Sequence, residues 1–112
     1  MGTISSLADR LSRKPELPSI LVTSFGFSVG GSFFPWQTVS EIWGYKVDRI
    51  TTDETFFEFL SGSQRIVISE EQPGFDQLES SMIAAFPTTA AWRQAVPQPA
   101  FDSCRMLLYR RT

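Results

Sequence analysis

The chain has 112 residues, of which 42% are hydrophobic and 20% charged, and its net charge is −2. This size and balance fit one globular domain with its own core, and they argue against a disordered chain or one with a membrane span. It has no histidine and one cysteine, Cys104, which excludes Ser-His-Asp and Cys-His catalysis, an internal disulfide and a cysteine-held metal.

Ile4, Leu7, Ala8 and Leu11 fall at i, i+3, i+4 and i+7, predicting a short amphipathic helix over 4–13 that Pro15 stops. The basic residues before Ile20-Leu21-Val22 do not make a signal peptide, because Thr23, Ser24, Gly26 and Ser28 break the apolar run. A cytoplasmic location is therefore expected. From 19 to 34 large apolar residues (Leu21, Phe25, Phe27, Val29, Phe33) alternate with small ones, which is a strand signal. It reads as a hairpin turning near Ser24-Phe25-Gly26, with a second turn at Gly30-Gly31.

Trp36, Val39 and Trp43 stand at helical spacing, yet Ile42 to Val47 reads as extended. The reading adopted is a turn and then a strand from about Ser40 to Asp48. A turn at Thr51–Glu54, a strand at Thr55–Leu60, a turn at Ser61–Gln64 and a strand at Arg65–Ser69 complete an antiparallel meander. Pro73–Phe86 is predicted to be a helix with Phe75, Leu78, Met82 and Phe86 as its apolar face. Glu70, Glu71 and Asp76 suit its positive N-terminal end.

Thr88 is expected to cap a second short helix that buries Trp92, Ala95 and Val96. Pro97 and Pro99 then predict an extended connector. Cys104–Tyr109 is a final strand, apolar on both faces in its middle and so expected inside a sheet. The fold class is α+β: an antiparallel meander packed by the 73–86 helix, with a short N-terminal helix and a C-terminal strand, in a single domain over 1–112.

Charge is unevenly spread. Between Glu41 and Glu79 nine acids face three bases, whereas the last twenty residues hold four arginines against Asp102. An acidic middle argues against a nucleic-acid groove and suits a basic protein partner. The acid pairs Asp53-Glu54 and Glu70-Glu71 are sequence neighbours at turns and do not supply two carboxyls facing across a cleft. No calcium-loop spacing and no phosphate-binding glycine loop occur. Neither a metal nor another cofactor is expected.

At Trp36-x-x-Val39-x-x-Ile42-x-x-Tyr45-Lys46-x-Asp48, at Ile68-Ser69-Glu70-Glu71-x-x-Gly74-Phe75 and at Leu108-Tyr109-Arg110-Arg111, the chain resembles a group of small bacterial proteins of unknown function. The resemblance covers roughly Trp36 to Arg111 and implies no functional residue. The order of meander then helix also resembles pleckstrin-homology-like domains. Those end on their long helix, whereas this chain continues through Trp92 to another strand.

These features favour a non-enzymatic interaction module. It would bind a basic protein through an acidic, aromatic-bearing sheet surface formed by Trp43, Tyr45, Asp48, Asp53, Glu54 and Glu58, in the manner of an immunity protein steered onto a basic toxin. The alternatives are a small-ligand or lipid-binding domain with a Phe/Trp-lined pocket, and a carboxylate-dependent enzyme. A homodimer is compatible with each, using the N-terminal helix and spare aromatic residues.

Overall fold

The computed structural model describes residues 17–48, 53–96 and 105–111. Its elements form two antiparallel sheets and two helices, an α+β arrangement as expected. The predicted helix over 4–13, turn residues Thr51 and Thr52, the 97–104 connector and Cys104 lie outside the described residues.

A three-stranded sheet runs β1 (Ile20–Thr23), β2 (Gly26–Val29) and β3 (Ser32–Pro35), in that order. Both predicted turns occur. Gly30 and Gly31 have φ of 57° and 88°, the left-handed pair that a two-residue hairpin turn demands. Each two-residue turn also reverses which residues face inward. Ile20, Phe27, Val29 and Phe34 are buried, whereas Leu21 and Phe33 point to solvent. The alternating large residues therefore split between the two faces.

A 3-10 turn at Trp36–Thr38 leads into β4 (Glu41–Asp48), followed by β5 (Asp53–Ser61) and β6 (Gln64–Ser69). These pair as the expected meander, but β5 begins earlier than read. Asp53 and Glu54 belong to the strand, opposite Asp48 and Val47, and not to a turn. Ladder pairing outweighs the turn preference of these two acids. The last strand, β7 (Met106–Arg110), joins the other side of β4, giving the order β6-β5-β4-β7. β7 is thus an edge strand and not an interior one, and Met106 and Leu107 each remain 37% exposed. A register shift at Ile42/Trp43 sets Leu107 opposite Trp43 and leaves Leu108 buried.

Helix α1 (Phe75–Ala85) starts two residues later than predicted, after Gly74 at φ 95°. A side chain at Gly74 would collide with the Ile20 carbonyl oxygen, so glycine is required both for its backbone conformation and for this close approach. A 3-10 turn at Pro87–Ala91 precedes the four-residue α2 (Trp92–Ala95). Thr88 does not cap it. The Thr88 hydroxyl donates to the Leu108 carbonyl at 3.2 Å, and the Thr89 hydroxyl donates to the Phe86 carbonyl at 2.7 Å.

The core lies between the four-stranded sheet on one side and α1, α2 and the small sheet on the other. Phe57 meets Phe75 (ring centroids 5.2 Å apart) and Trp92 (4.9 Å), while Phe27 of the small sheet meets Phe59 at 4.9 Å. The buried indole of Trp92 donates to Glu79 at 2.7 Å, satisfying a group that would otherwise be costly to bury. Gly44 admits this packing. A methyl there would stand 2.9 Å from Val96 Cγ2 and 3.0 Å from Leu108 Cδ1. Among the described residues no buried side-chain nitrogen or oxygen lacks a hydrogen-bond partner.

Candidate interaction face

Side chains alternate across a strand, so the four-stranded sheet has two distinct faces. The ring contacts of Phe75 and Trp92 on Phe57, and of Phe86, just past α1, on Trp36 and Tyr109, lie on the core side. The register places a different set on the other face. Trp43 stands opposite Glu58, Tyr45 opposite Phe56 and Val47 opposite Glu54. Glu58 stands opposite Val67, and Leu60 opposite Arg65.

At the centre of this outer face is Glu58, whose side chain is 3% exposed. One carboxylate oxygen accepts from Arg65 Nε and the other accepts from Arg105 at 2.7 Å. Arg65 is the diagonal neighbour of Glu58 across the β5–β6 hairpin, whereas Arg105 arrives from the far side of β4. Both guanidiniums remain open to water, at 63% and 48% exposure. Arg105 also lies over the Trp43 ring, 4.6 Å from its centroid.

The Trp43 indole donates to Glu41 at 2.8 Å, and the other Glu41 oxygen accepts from Arg110 at 3.2 Å. Tyr45 stacks on Phe56 with centroids 5.4 Å apart. Burial raises the Tyr45 hydroxyl above its ordinary pKa, and Glu58 adds to the rise, while Arg65 and Arg105 pull the other way. Trp43 is therefore held between the Glu41 carboxylate and the Arg105 guanidinium, and Tyr45 and Phe56 stack on each other beside it.

Four of the six residues read from the sequence, Trp43, Tyr45, Glu54 and Glu58, share this face by strand register. Its electrostatic character differs from the one expected. Glu58 is clasped by two cations, and Glu54 is buried and accepts from the Ser69 hydroxyl. Neither is a bare surface acid. Asp48 and Asp53 oppose each other where β4 and β5 meet. Glu70 and Glu71 are exposed at the same end of the sheet, where a Glu70 oxygen accepts from the Thr55 amide at 2.7 Å. Acids outnumber bases at that end, where Lys46 stands opposite Thr55, while across the face Glu41, Glu54 and Glu58 are matched in number by Arg65, Arg105 and Arg110.

Sequence reasoning missed Glu41, Phe56, Arg65 and Arg105. Arg65 could have been found by carrying the hairpin register one diagonal further. Arg105, 47 residues from Glu58, had no local signal. Trp36 and Trp92 are buried in the core, so neither lines an open pocket of the kind a small-ligand site would need. Among the described residues no group of three or more Cys, Asp or Glu could hold a metal ion, and no helix is long and apolar enough to cross a membrane.

Comparison with known family models, with curated proteins and with solved structures returns no match.

Proposed function

We propose that this chain is a non-enzymatic interaction module that binds a protein partner on the outer face of its four-stranded sheet. The observation that carries this reading is the set Trp43, Tyr45, Phe56, Arg65 and Arg105 gathered round one buried carboxylate. Trp, Tyr and Arg are the side chains that most often dominate binding energy at protein interfaces. Here Trp43, Arg65 and Arg105 already have partners that orient them, which lowers the entropy lost on binding.

The acids at the Asp48/Asp53 and Glu70/Glu71 end would attract a partner that is basic where it meets that end. Aromatic contact then supplies residence time, and the acidic end supplies encounter rate.

The test is titration with a panel of basic proteins across a salt series, followed by intrinsic tryptophan fluorescence. Association is expected to slow as salt rises. Trp43→Ala, with its fold checked by circular dichroism, should weaken binding at least about tenfold. Binding that ignores ionic strength and survives Trp43→Ala would refute the reading.

A further inference from the structure

The clasp at the centre of the outer face does not balance. Glu58 brings one negative charge, and Arg65 and Arg105 bring two positive ones. The other acids of the face are engaged elsewhere, Glu41 by Arg110 and Glu54 in a buried contact with Ser69. One unit of positive charge is therefore left over at the clasp. Unspent donors are left with it. Arg65 gives Glu58 its Nε–H and Arg105 gives it one terminal N–H, whereas a guanidinium carries several more. Among the described residues neither arginine meets a second acceptor, and both are open to water.

The surroundings of these donors are largely apolar. Strand register puts Leu107, Trp43, Glu58 and Val67 in one row across β7, β4, β5 and β6. Leu107 and Val67 are partly exposed at its two ends. Trp43 lies against Arg105, and Tyr45 is near enough to feel the charges of Glu58, Arg65 and Arg105. Cations set among rings and aliphatic side chains are weakly screened once water is excluded from them.

Covering this row with a partner has a definite electrostatic consequence. Two guanidiniums desolvated with one carboxylate leave a cation unpaired, and an unpaired buried charge is strongly unfavourable. A neutral partner surface leaves that cost standing, and a basic one adds repulsion. A second carboxylate removes it. The geometry for one is already present, since both arginines hold the Glu58 carboxylate at once. Their planar forks match carboxylate oxygens in pairs.

We propose, on the basis of the binding face assigned above, that the Arg65–Arg105 pair receives an acidic side chain, aspartate or glutamate, from the protein partner. A spacing follows. Asp53 precedes Glu58 by five residues on β5, which is about 17 Å at the rise of a strand. The partner therefore carries an acid that far from the basic residues that meet the Asp48/Asp53 end. Its contact surface is polarised and not uniformly basic.

The test is titration of the isotope-labelled full chain with two blocked peptides, acetyl-Leu-Glu-Leu-amide and its Gln counterpart. Nuclear magnetic resonance reads the Nε–H signals of Arg65 and Arg105 and the indole N–H of Trp43. The glutamate peptide should shift all three and bind at least about tenfold more tightly than the glutamine peptide. Arg65→Gln or Arg105→Gln alone leaves Glu58 with one cation, removes the excess charge and should erase that preference. Glu58→Gln, with its fold checked by circular dichroism, enlarges the excess and should widen the preference. Equal affinity for the two peptides, with Trp43 still shifting, overturns the inference but keeps the face as a binding surface. No shift at either arginine in millimolar glutamate peptide also overturns it, while the salt-series titration still decides the proposed function separately. Inorganic phosphate binding more tightly than the glutamate peptide overturns it as well, and would assign the pair to a phosphate group.

Discussion

On the outer face of the four-stranded sheet each described carboxylate is engaged: Glu41 by Trp43 and Arg110, Glu54 by Ser69, Glu58 by Arg65 and Arg105. On the outer face of the three-stranded sheet there is nothing to ionise, and Leu21 and Phe33 stand in water. Both sheets bury their other face in one core, where Phe27 touches Phe59. The contrast separates two ways in which a sheet can use a face that the core does not need. One fixes aromatic residues with charge, and the other leaves apolar surface bare. The first makes a surface whose properties depend on salt and pH. The second makes one without a titrating group on it.

Four experiments sharpen or break this contrast. The largest effect should come from the shared core. Phe27→Ala removes the ring that joins the sheets and should cost about 3–5 kcal/mol in urea unfolding. The transition should remain single, and separate melting of the two sheets would show that the core does not couple them. Next, Glu58→Ala leaves two guanidiniums facing each other and should cost about 1–3 kcal/mol. It stays below the value for a fully buried pair because both arginines are half in water. No side chain on the outer face of the small sheet should show a comparable salt-dependent cost.

Arg105→Ala should then cost about 1–2 kcal/mol, more than Arg65→Ala at below about 1 kcal/mol. Arg105 is the less exposed of the two and also stacks on Trp43. Equal costs would mean that the cation–aromatic contact contributes nothing.

The smallest effect concerns pH. The Tyr45 hydroxyl ionises above 10.0 in the folded protein, raised first by burial and then by Glu58. As pH climbs, the unfolded chain loses its tyrosine proton before the folded protein does. The contribution is therefore intact below about 10 and is lost as pH rises through the folded value. Tyr45→Phe should flatten that part of the alkaline stability profile, and an unchanged profile would place the loss elsewhere.

Much of the fold was legible in the residues because local chemistry set it. Gly30-Gly31 supplied the turn, period-two alternation supplied the strands, and Pro73 and Pro87 bracketed the helix. The errors share a cause in tertiary pairing. Asp53 and Glu54 look like a turn until β4 supplies a ladder for them. The doubly apolar β7 looks interior until a register shift turns Leu108 inward and leaves Leu107 outside. In the sequence the six site residues group by their acidity and nearby aromatic rings, and it is the strand register that sets Trp43, Tyr45, Glu54 and Glu58 on one face and leaves Asp48 and Asp53 off it. The neutrality of that face was not legible, because Arg105 reaches Glu58 from a distant strand and burial of Glu54 depends on Ser69.

The junction between β1 and the start of α1 has a consequence for the order in which the chain assembles. Gln72 donates to the Pro18 carbonyl at 2.9 Å, the Pro73 carbonyl accepts from the Ile20 amide, and Gly74 leaves room for the Ile20 carbonyl oxygen. The partners are more than fifty residues apart, so a chain leaving the ribosome extrudes the small sheet well before the clasp that closes its outer strand. In that interval β1 holds only its hairpin bonds, and its free margin is open to any extended chain nearby. Completion of the 72–75 corner covers the Ile20 end of that margin, and Gly74 is the residue that lets the corner close on it.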